Sequence, residues 1–433
     1  MTWAVRGPGP EWSVRMTEMI AEEQVVEPEV PKWLRSDVLD GEAREQAMAM
    51  MRRLVVHLKG KTTDMAEAAV EEPIDNYLDP EVFRSEVDLV FKRIPLPLAL
   101  SAELVGKNTY KAMDAVGMPI VITRDAKGEA RAMLNVCRHR GALLCEGRGE
   151  ARALTCPYHA WSFGMDGELR GVYGESTFGD FDRSERGLIQ LPTVEKHGVI
   201  WVCLTPGLTI DIDSWLGDWG PQLASLKLDE CHVFSSRLMP GPNWKATIEG
   251  YLEAYHFAAT HPNTVFAVNH GNTMVFDGFG PHERLGFALR TIDDVMDAPE
   301  SEWDPSHHVG PIFWTFPGFS IAGGWRQRMT VALCLPTTKV DESVTEHRIV
   351  VRHEIDDEVQ HDLEVMRDWF YDVVYNEDYL TQYGVQRGVA ATGGHTQVFG
   401  RNEIGVQYLH RSLNRLIDEN WQEGYARPRT SED

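Results

Sequence analysis

Residues 135–171, NVCRHRGALLCEGRGEARALTCPYHAWSFGMDGELRG, decide the fold. Cys137 and His139 flank one residue, Cys156 and His159 flank two, and residues 140–155 separate the pairs. Each pair follows a short apolar run and sits in a loop marked by Gly141 or by Pro157. Two thiols and two imidazoles suit zinc, for which a tetrahedral Cys2His2 set is common. A zinc finger, however, typically draws both cysteines from one segment and both histidines from another, whereas here each loop offers one of each. A two-iron, two-sulfide cluster with cysteines on one iron and histidines on the other uses that division, since each loop then reaches both irons.

Outward from this stretch, residues 99–208 alternate short apolar runs with glycine, as in PIVITRD, ARAMLNV and HGVIWVCLTPG. Regularly spaced runs of this kind predict a small β domain. The segment 135–171 resembles, over its whole length, the Rieske domain of ring-hydroxylating oxygenases. The resemblance makes Cys137, His139, Cys156 and His159 the ligands of a Rieske [2Fe-2S] cluster. Cys145, Cys203, Cys231 and Cys334 read as small buried side chains.

A second chemical signal lies at 243–265, NWKATIEGYLEAYHFAATHPNTV. Glu249, Glu253 and His256, four and three residues apart, predict one face of a helix. His261 would lie about 140° from His256 on an undistorted helix. Pro262 disfavours helical geometry at His261 and lets it swing back, and a π-bulge would serve as well. The spacing differs from the His-Glu-x-x-His of zinc proteases, so iron held by two histidines and a carboxylate is the better reading. The resemblance continues here: the family's acid-x3-acid-x2-His-x4-His pattern is matched by Glu249, Glu253, His256 and His261. The remaining carboxylate is sought among Asp368, Asp372, Glu377 and Asp378. Asp378 is chosen because it stands eight residues before Gln386-Arg387-Gly388, an arrangement that resembles the family's ligand-bearing helix. The family also uses an acid, most commonly Asp, to connect a cluster histidine of one subunit to an iron histidine of the next. Glu253 occupies that position here, so the longer side chain is expected to bridge directly or through water, or else only to orient His256.

The resemblance implies an α+β molecule: a β-sandwich-like Rieske domain and a helix-grip (START/Bet v 1-like) catalytic domain with an antiparallel sheet. The expected division is an arm or cap over 1–60, containing the helical stretch GEAREQAMAMMRRLVVHLKG, and a helical lead-in over 61–98. The Rieske domain follows over 99–208 and the catalytic domain over 209–433. The implied chemistry is that of a catalytic α subunit, using O2 and electrons passed from the cluster to a mononuclear Fe(II). No flavin- or nicotinamide-binding Gly-rich fingerprint is present, so NAD(P)H is expected to act only through a separate ferredoxin or ferredoxin reductase. The family's usual assembly predicts a homotrimer, or α3β3 where a β subunit joins.

Composition bounds the partners. The chain has 433 residues, of which 42 are Lys or Arg and 66 are Asp or Glu, a net charge of -24. Such a field disfavours nucleic acids and anionic membranes. Neither an export signal nor a long apolar run appears, and the scattered cysteines suit a reducing compartment, so a cytoplasmic location is expected. Arg131, Arg138, Arg140, Arg148 and Arg152 form a basic stretch that reads either as a docking collar for an acidic redox partner or as internally paired. Phe266, Phe313, Trp314, Phe316 and Phe319 are candidates for an apolar pocket, with Arg326 or Arg328 as an anchor for a substrate carboxylate. The leading expectation is mono- or cis-dihydroxylation of an apolar, aromatic molecule. Oxidative N- or O-demethylation is the alternative, and a Rieske electron-transfer protein without chemistry of its own is the remote one.

Overall fold

Between residues 269 and 351, runs rich in Val, Ile, Leu and aromatic side chains are separated by Gly- and Pro-containing turns, and such residues fit a pleated, covered surface. They supply six strands of a seven-stranded sheet in the computed structural model of the chain, which describes residues 39, 41–418 and 426–428. The strand order is His232–Gly241, Ser343–Val351, Arg328–Pro336, Phe319–Ala322, Val309–Thr315, His282–Leu289 and Asn269–Phe279, all neighbours antiparallel. His282–Leu289 is buried throughout and Arg328–Pro336 almost throughout, so helices and loops cover the sheet. The helix Gly41–Gly60 coincides with the expected helical stretch and buries Met48, Met50, Met51 and Leu54. It lies so near the strand His282–Leu289 that a Cβ at Gly286 would stand 2.6 Å from Met50 Cε. Residues 1–38 and 40 of the expected arm, and residues 419–425 and 429–433, lie outside the described residues.

The stretch 61–98 is helical over part of its length, with π-helix over Val87–Phe91 continuing its second helix. It holds the helices Asp75–Leu78 and Pro80–Glu86, the second started by Asp79, whose side chain accepts the Glu81 N–H at 2.7 Å. It also holds the strand Val70–Pro73, paired with Thr396–Phe399. The expected boundary between 98 and 99 cuts the strand Leu96–Leu100, which pairs with Val199–Val202. This strand carries Pro97, which its place at the edge of the three-stranded sheet tolerates.

The cluster region is built from short strands. A five-stranded sheet runs Gln190–Leu191, Ala130–Leu134, Met118–Arg124, Thr109–Ala115, Arg148–Glu150, and a three-stranded one runs Ala153–Thr155, Ser162–Gly164, Leu169–Gly171. Val121, Met133, Leu144, Leu154, Trp161 and Phe163 form a small core of its own with Cys137 and Cys156. A buried ion cluster fastens this region to the large sheet. Lys111 Nζ meets Glu103 Oε1 at 3.0 Å and Glu346 Oε2 at 2.8 Å, Arg148 Nη2 meets Glu346 Oε1 at 2.6 Å, and Arg348 Nε meets Glu103 Oε1 at 3.2 Å. Among the described residues no helix is long and apolar enough to cross a membrane.

Candidate metal centres

The two cluster loops share one backbone pattern. The Cys137 N–H donates to Ala142 O at 2.8 Å and its carbonyl accepts from Gly141 N–H at 3.0 Å. In the second loop Cys156 N–H donates to Trp161 O at 2.8 Å and its carbonyl accepts from Ala160 N–H at 3.0 Å. Gly141 and Ala160 occupy the same place in the two turns, and both have positive φ, 78° and 57°. Alanine accepts there a conformation that favours glycine. The turns bring His139 and His159 together with ring centroids 4.7 Å apart, and Trp161 stacks on His139 at 5.1 Å. Nδ1 of His139 and Nδ1 of His159 are buried without a hydrogen-bond partner. Burial pushes the Cys137 thiol up and the adjacent Cys156 adds to this, against backbone N–H groups of His139 and Arg140. Orphaned ring nitrogens beside adjacent buried thiols fit an iron–sulfur cluster, which takes its cysteines as thiolates.

The second centre is made by two breaks in regular helix. The helix Trp244–Glu249 tightens over Gly250–Leu252 and ends at Glu253, which is extended with φ -152° and ψ 167°. Glu253, Glu249 and His256 therefore do not share the predicted helix face. The Glu253 carboxylate turns back onto the next short helix, Phe257–Thr260, accepting the His256 N–H at 3.1 Å as well as the Tyr255 N–H and His256 Nδ1. His261 ends that helix with φ -121°, the departure expected before Pro262. Glu249 points elsewhere, to Tyr77 Oη at 2.5 Å and His410 Nε2 at 2.9 Å.

Asp378 arrives from the far end of the chain. The helix Asp357–Tyr371 widens into π-helix over Asp372–Tyr379 before resuming at Leu380–Thr392. No π turn occurs between His256 and His261, where one was an alternative to the proline; this π segment is a separate feature on the carboxylate's helix. Tyr379 pins it to the sheet, its hydroxyl 2.6 Å from Thr345 Oγ1 and 3.2 Å from Tyr251 Oη. His261 Nε2 lies 2.8 Å from Asp378 Oδ1 and 3.1 Å from His256 Nε2, and His256 Nε2 lies 3.6 Å from Asp378 Oδ1. Among the described residues these are the only three His, Cys, Asp or Glu side chains whose ligand atoms fall within 4.8 Å of one another. Of the other acids considered, Asp368 is exposed and paired with Arg367, and Asp372 accepts from Asn376.

Glu377, next to Asp378, is an orienting residue that the sequence pattern does not mark. Its Oε2 lies 2.6 Å from His261 Nδ1 and accepts from Thr264 Oγ1 at 2.6 Å, fixing the ring with Nε2 toward Asp378. Burial alone would lower the His261 pKa, but Asp378 and Glu377 outweigh it and raise it. A field that welcomes a proton on this ring also welcomes a divalent cation, so the residues fit a mononuclear iron.

A cavity of about 170 Å³ opens beside these side chains, lined among others by Tyr251, Phe257, Phe287, Trp369 and Phe370. None of the five anticipated aromatics lines it. Phe313, Trp314, Phe316 and Phe319 are core, and Phe266 stacks beneath Arg290. Arg326 and Arg328 both line the cavity. The basic collar is thinner than expected, since Arg131 pairs with Asp125 and Glu129 and Arg148 belongs to the buried cluster. Arg140 packs over the Tyr158 ring. Cys145 is half-buried and Cys203, Cys231 and Cys334 are buried; all are free thiols.

A Rieske-type domain fastened to an iron-binding helix-grip domain defines the catalytic subunit of an oxygenase. The chain belongs to the ring-hydroxylating oxygenase α-subunit family: residues 95–182 match the Rieske [2Fe-2S] domain and residues 228–419 the ring hydroxylating alpha subunit catalytic domain. It is 27% identical over 372 residues to the carnitine monooxygenase oxygenase subunit of Escherichia coli, covering 80% of this chain and 94% of that one. It is 32% identical over 240 residues to the anthranilate 1,2-dioxygenase large subunit of Acinetobacter baylyi, covering 53% of this chain and 49%, about half, of that one. In fold it is similar to a quaternary ammonium Rieske monooxygenase solved with gamma-butyrobetaine, with TM-score 0.69, 23% identity, and coverage of 82% of this chain and 97% of that one. The cofactors are accordingly a Rieske [2Fe-2S] cluster and a mononuclear iron, with O2 as co-substrate and an electron-transfer protein as the source of electrons.

Proposed function

We propose that the chain is the oxygenase component of a monooxygenase that oxidises a small quaternary ammonium compound, with His256, His261 and Asp378 holding the iron and Cys137, His139, Cys156 and His159 the cluster. The observation that carries this reading is the cavity beside the iron ligands. Its aromatic rings, Tyr251, Phe257, Phe287, Trp369 and Phe370, can enclose a cationic head, and Glu253 and Asp378 add negative charge at the same end. The relatives named for carnitine and glycine betaine favour oxidative demethylation or a related C–N cleavage over hydroxylation of an aromatic hydrocarbon. The relative named for anthranilate favours, as a second reading, attack on an aromatic ring that bears a carboxylate.

When bound, the two metal groups supply electron storage and O2 activation. The chain's own residues do the rest. Glu377 and Glu253 hold the two imidazoles in the orientation that presents Nε2 to the metal. The rings exclude water from the cavity and fix the ammonium so that one carbon attached to its nitrogen faces the ligands. The reaction balances as follows: the quaternary ammonium compound, O2, two electrons and two protons give water and the same compound with a C–H bond of that carbon converted to C–OH. Loss of the hydroxyl proton then breaks the C–N bond, the bonding pair leaving with nitrogen, to give a tertiary amine and an aldehyde. Electrons come from a ferredoxin or reductase that uses NAD(P)H, and Glu253 connects the cluster of one subunit with the iron of the next in a trimer. Incubating the reconstituted enzyme with gamma-butyrobetaine, glycine betaine and anthranilate under 18O2 separates the readings. Label in an aldehyde released with an amine supports the first, and a labelled dihydroxylated ring product supports the second.

A further inference from the structure

We propose that Arg326 is the specificity-determining residue of the cavity, binding a carboxylate at the opposite end of the substrate from its cationic head. The substrate class thereby narrows from quaternary ammonium compounds to those that are zwitterionic, and this inference rests on the reading above for the cationic end only. Arg326 stands in the turn between the strands Phe319–Ala322 and Arg328–Pro336, beside Gly323, whose φ is 73°. It is 5% exposed and lines the same cavity as His256, His261 and Asp378. Its Nη2 donates to the Val309 carbonyl at 2.9 Å and reaches the Ser306 carbonyl only at 3.5 Å. No carboxylate pairs with it among the described residues.

That makes Arg326 the exception among the buried cations. Lys111 and Arg348 share Glu103 and Glu346, Lys245 is paired with Glu86, and Arg284 meets Asp277 at 3.0 Å. Arg328, the other arginine in the cavity wall, is occupied by Asp362 at 2.9 Å. Burial without an anion pulls the Arg326 pKa down to about 10, which still leaves it charged at neutral pH. Arg326 borders this cavity and also a much smaller pocket with Ser306 and Val309, whose carbonyls take its Nη2; a guanidinium without an anion at a cavity wall is the group that takes a carboxylate in a two-toothed grip. Carnitine, glycine betaine, gamma-butyrobetaine and anthranilate, the compounds in the relatives' names, all carry a carboxylate.

The test compares ligand pairs that differ only at that group, gamma-butyrobetaine with its carboxamide and benzoate with benzamide, by calorimetry on the iron-replete holoenzyme. The wild-type protein is expected to prefer a carboxylate by roughly tenfold to a hundredfold, the range of a charge-assisted hydrogen bond lost to a neutral one. In Arg326→Gln that preference is expected to fall toward one while the cluster absorbance and iron content stay those of the wild type. Arg326→Lys, which keeps charge without the planar fork, is expected to retain part of it. A wild-type protein without the preference, or an Arg326→Gln variant that keeps it, overturns the assignment. If that variant fails to fold, the wild-type preference and the Lys variant decide. Should only the benzoate pair bind, with its preference lost in the variant, the quaternary ammonium reading fails and the arginine's role stands.

Discussion

The two metal centres are made in opposite ways. The cluster loops are local: all four proposed ligands fall within residues 137–159, on two turns with matching backbone bonds and a small core of their own. The iron site is long-range: His256 and His261 lie on either side of a four-residue helix, and Asp378 comes from a helix more than a hundred residues later, held to the sheet by Tyr379. A local site depends on turn geometry and tolerates changes elsewhere. A site assembled from distant segments depends on whatever keeps those segments in register.

The strongest way to break this contrast is to remove one ligand from each. Asp378→Ala is expected to lose the mononuclear iron and bring turnover to background while the visible spectrum of the cluster is unchanged. Cys137→Ser should do the reverse, bleaching the spectrum and keeping the single iron. Metal analysis beside absorbance reads both, and loss of both metals from either variant would show that the centres fold as one unit. Next in size, Glu377→Gln leaves all ligands in place but frees the His261 ring, and iron affinity is expected to fall by about tenfold to a hundredfold, the usual cost of a lost orienting partner. A competition titration with a chelator measures it, and an unchanged affinity would mean that Tyr379 alone sets the geometry.

Glu253→Gln should keep both metals and slow reoxidation of the reduced cluster by substrate plus O2 by about tenfold, because the amide cannot accept from two imidazoles as a carboxylate does. Rapid-mixing absorbance follows this, and an unchanged rate would confine Glu253 to holding His256. The smallest effects are in stability. Burial would raise the Glu346 carboxyl, but the buried Arg348 and Lys111 and the more exposed Arg148 outweigh it and hold it down at about 2. This folded value is below the unfolded one, so the stabilisation is present above about pH 4.5 and is lost as pH falls through about 2. His410 lies between Glu249 and Glu72, which overcome its burial and raise it to about 9. Its contribution is complete below about pH 6.5 and is lost as pH rises through about 9. Thermal unfolding across pH is therefore expected to weaken the joint between the domains in acid and the catalytic domain in alkali, with Glu346→Gln flattening the acid limb alone.

The same contrast explains what could be read from the sequence. The proposed cluster ligands Cys137, His139, Cys156 and His159 stand out in the sequence because spacing within a short loop pair carries most of their geometry. His256 and His261 were legible through Pro262, a local constraint. The third carboxylate needed a family resemblance, since Asp368, Asp372, Glu377 and Asp378 all read as one exposed helix until a π turn sorts them. The break at Glu253 was hidden because its own side chain, capping Tyr255 and His256, replaces the helix bonds that would have continued. Cavity lining was the least legible. Phe313 and Phe319 are as apolar as Phe257 and Phe287, and only the fold decides which rings meet a space and which meet each other.

The π-helical turn at Asp372–Tyr379 has a consequence for inheritance. Its bonds close over one residue more than those of an α-helix, so the segment stores a single extra position between two anchored ends. Loss of one codon there would let the ordinary ladder close. Successive residues on that ladder step by about 100°, and Glu377 and Asp378 could no longer keep their places between Tyr371 and Tyr379. A chain one residue shorter there would keep the same motifs while losing the spacing that sets Glu377 and Asp378 against His261.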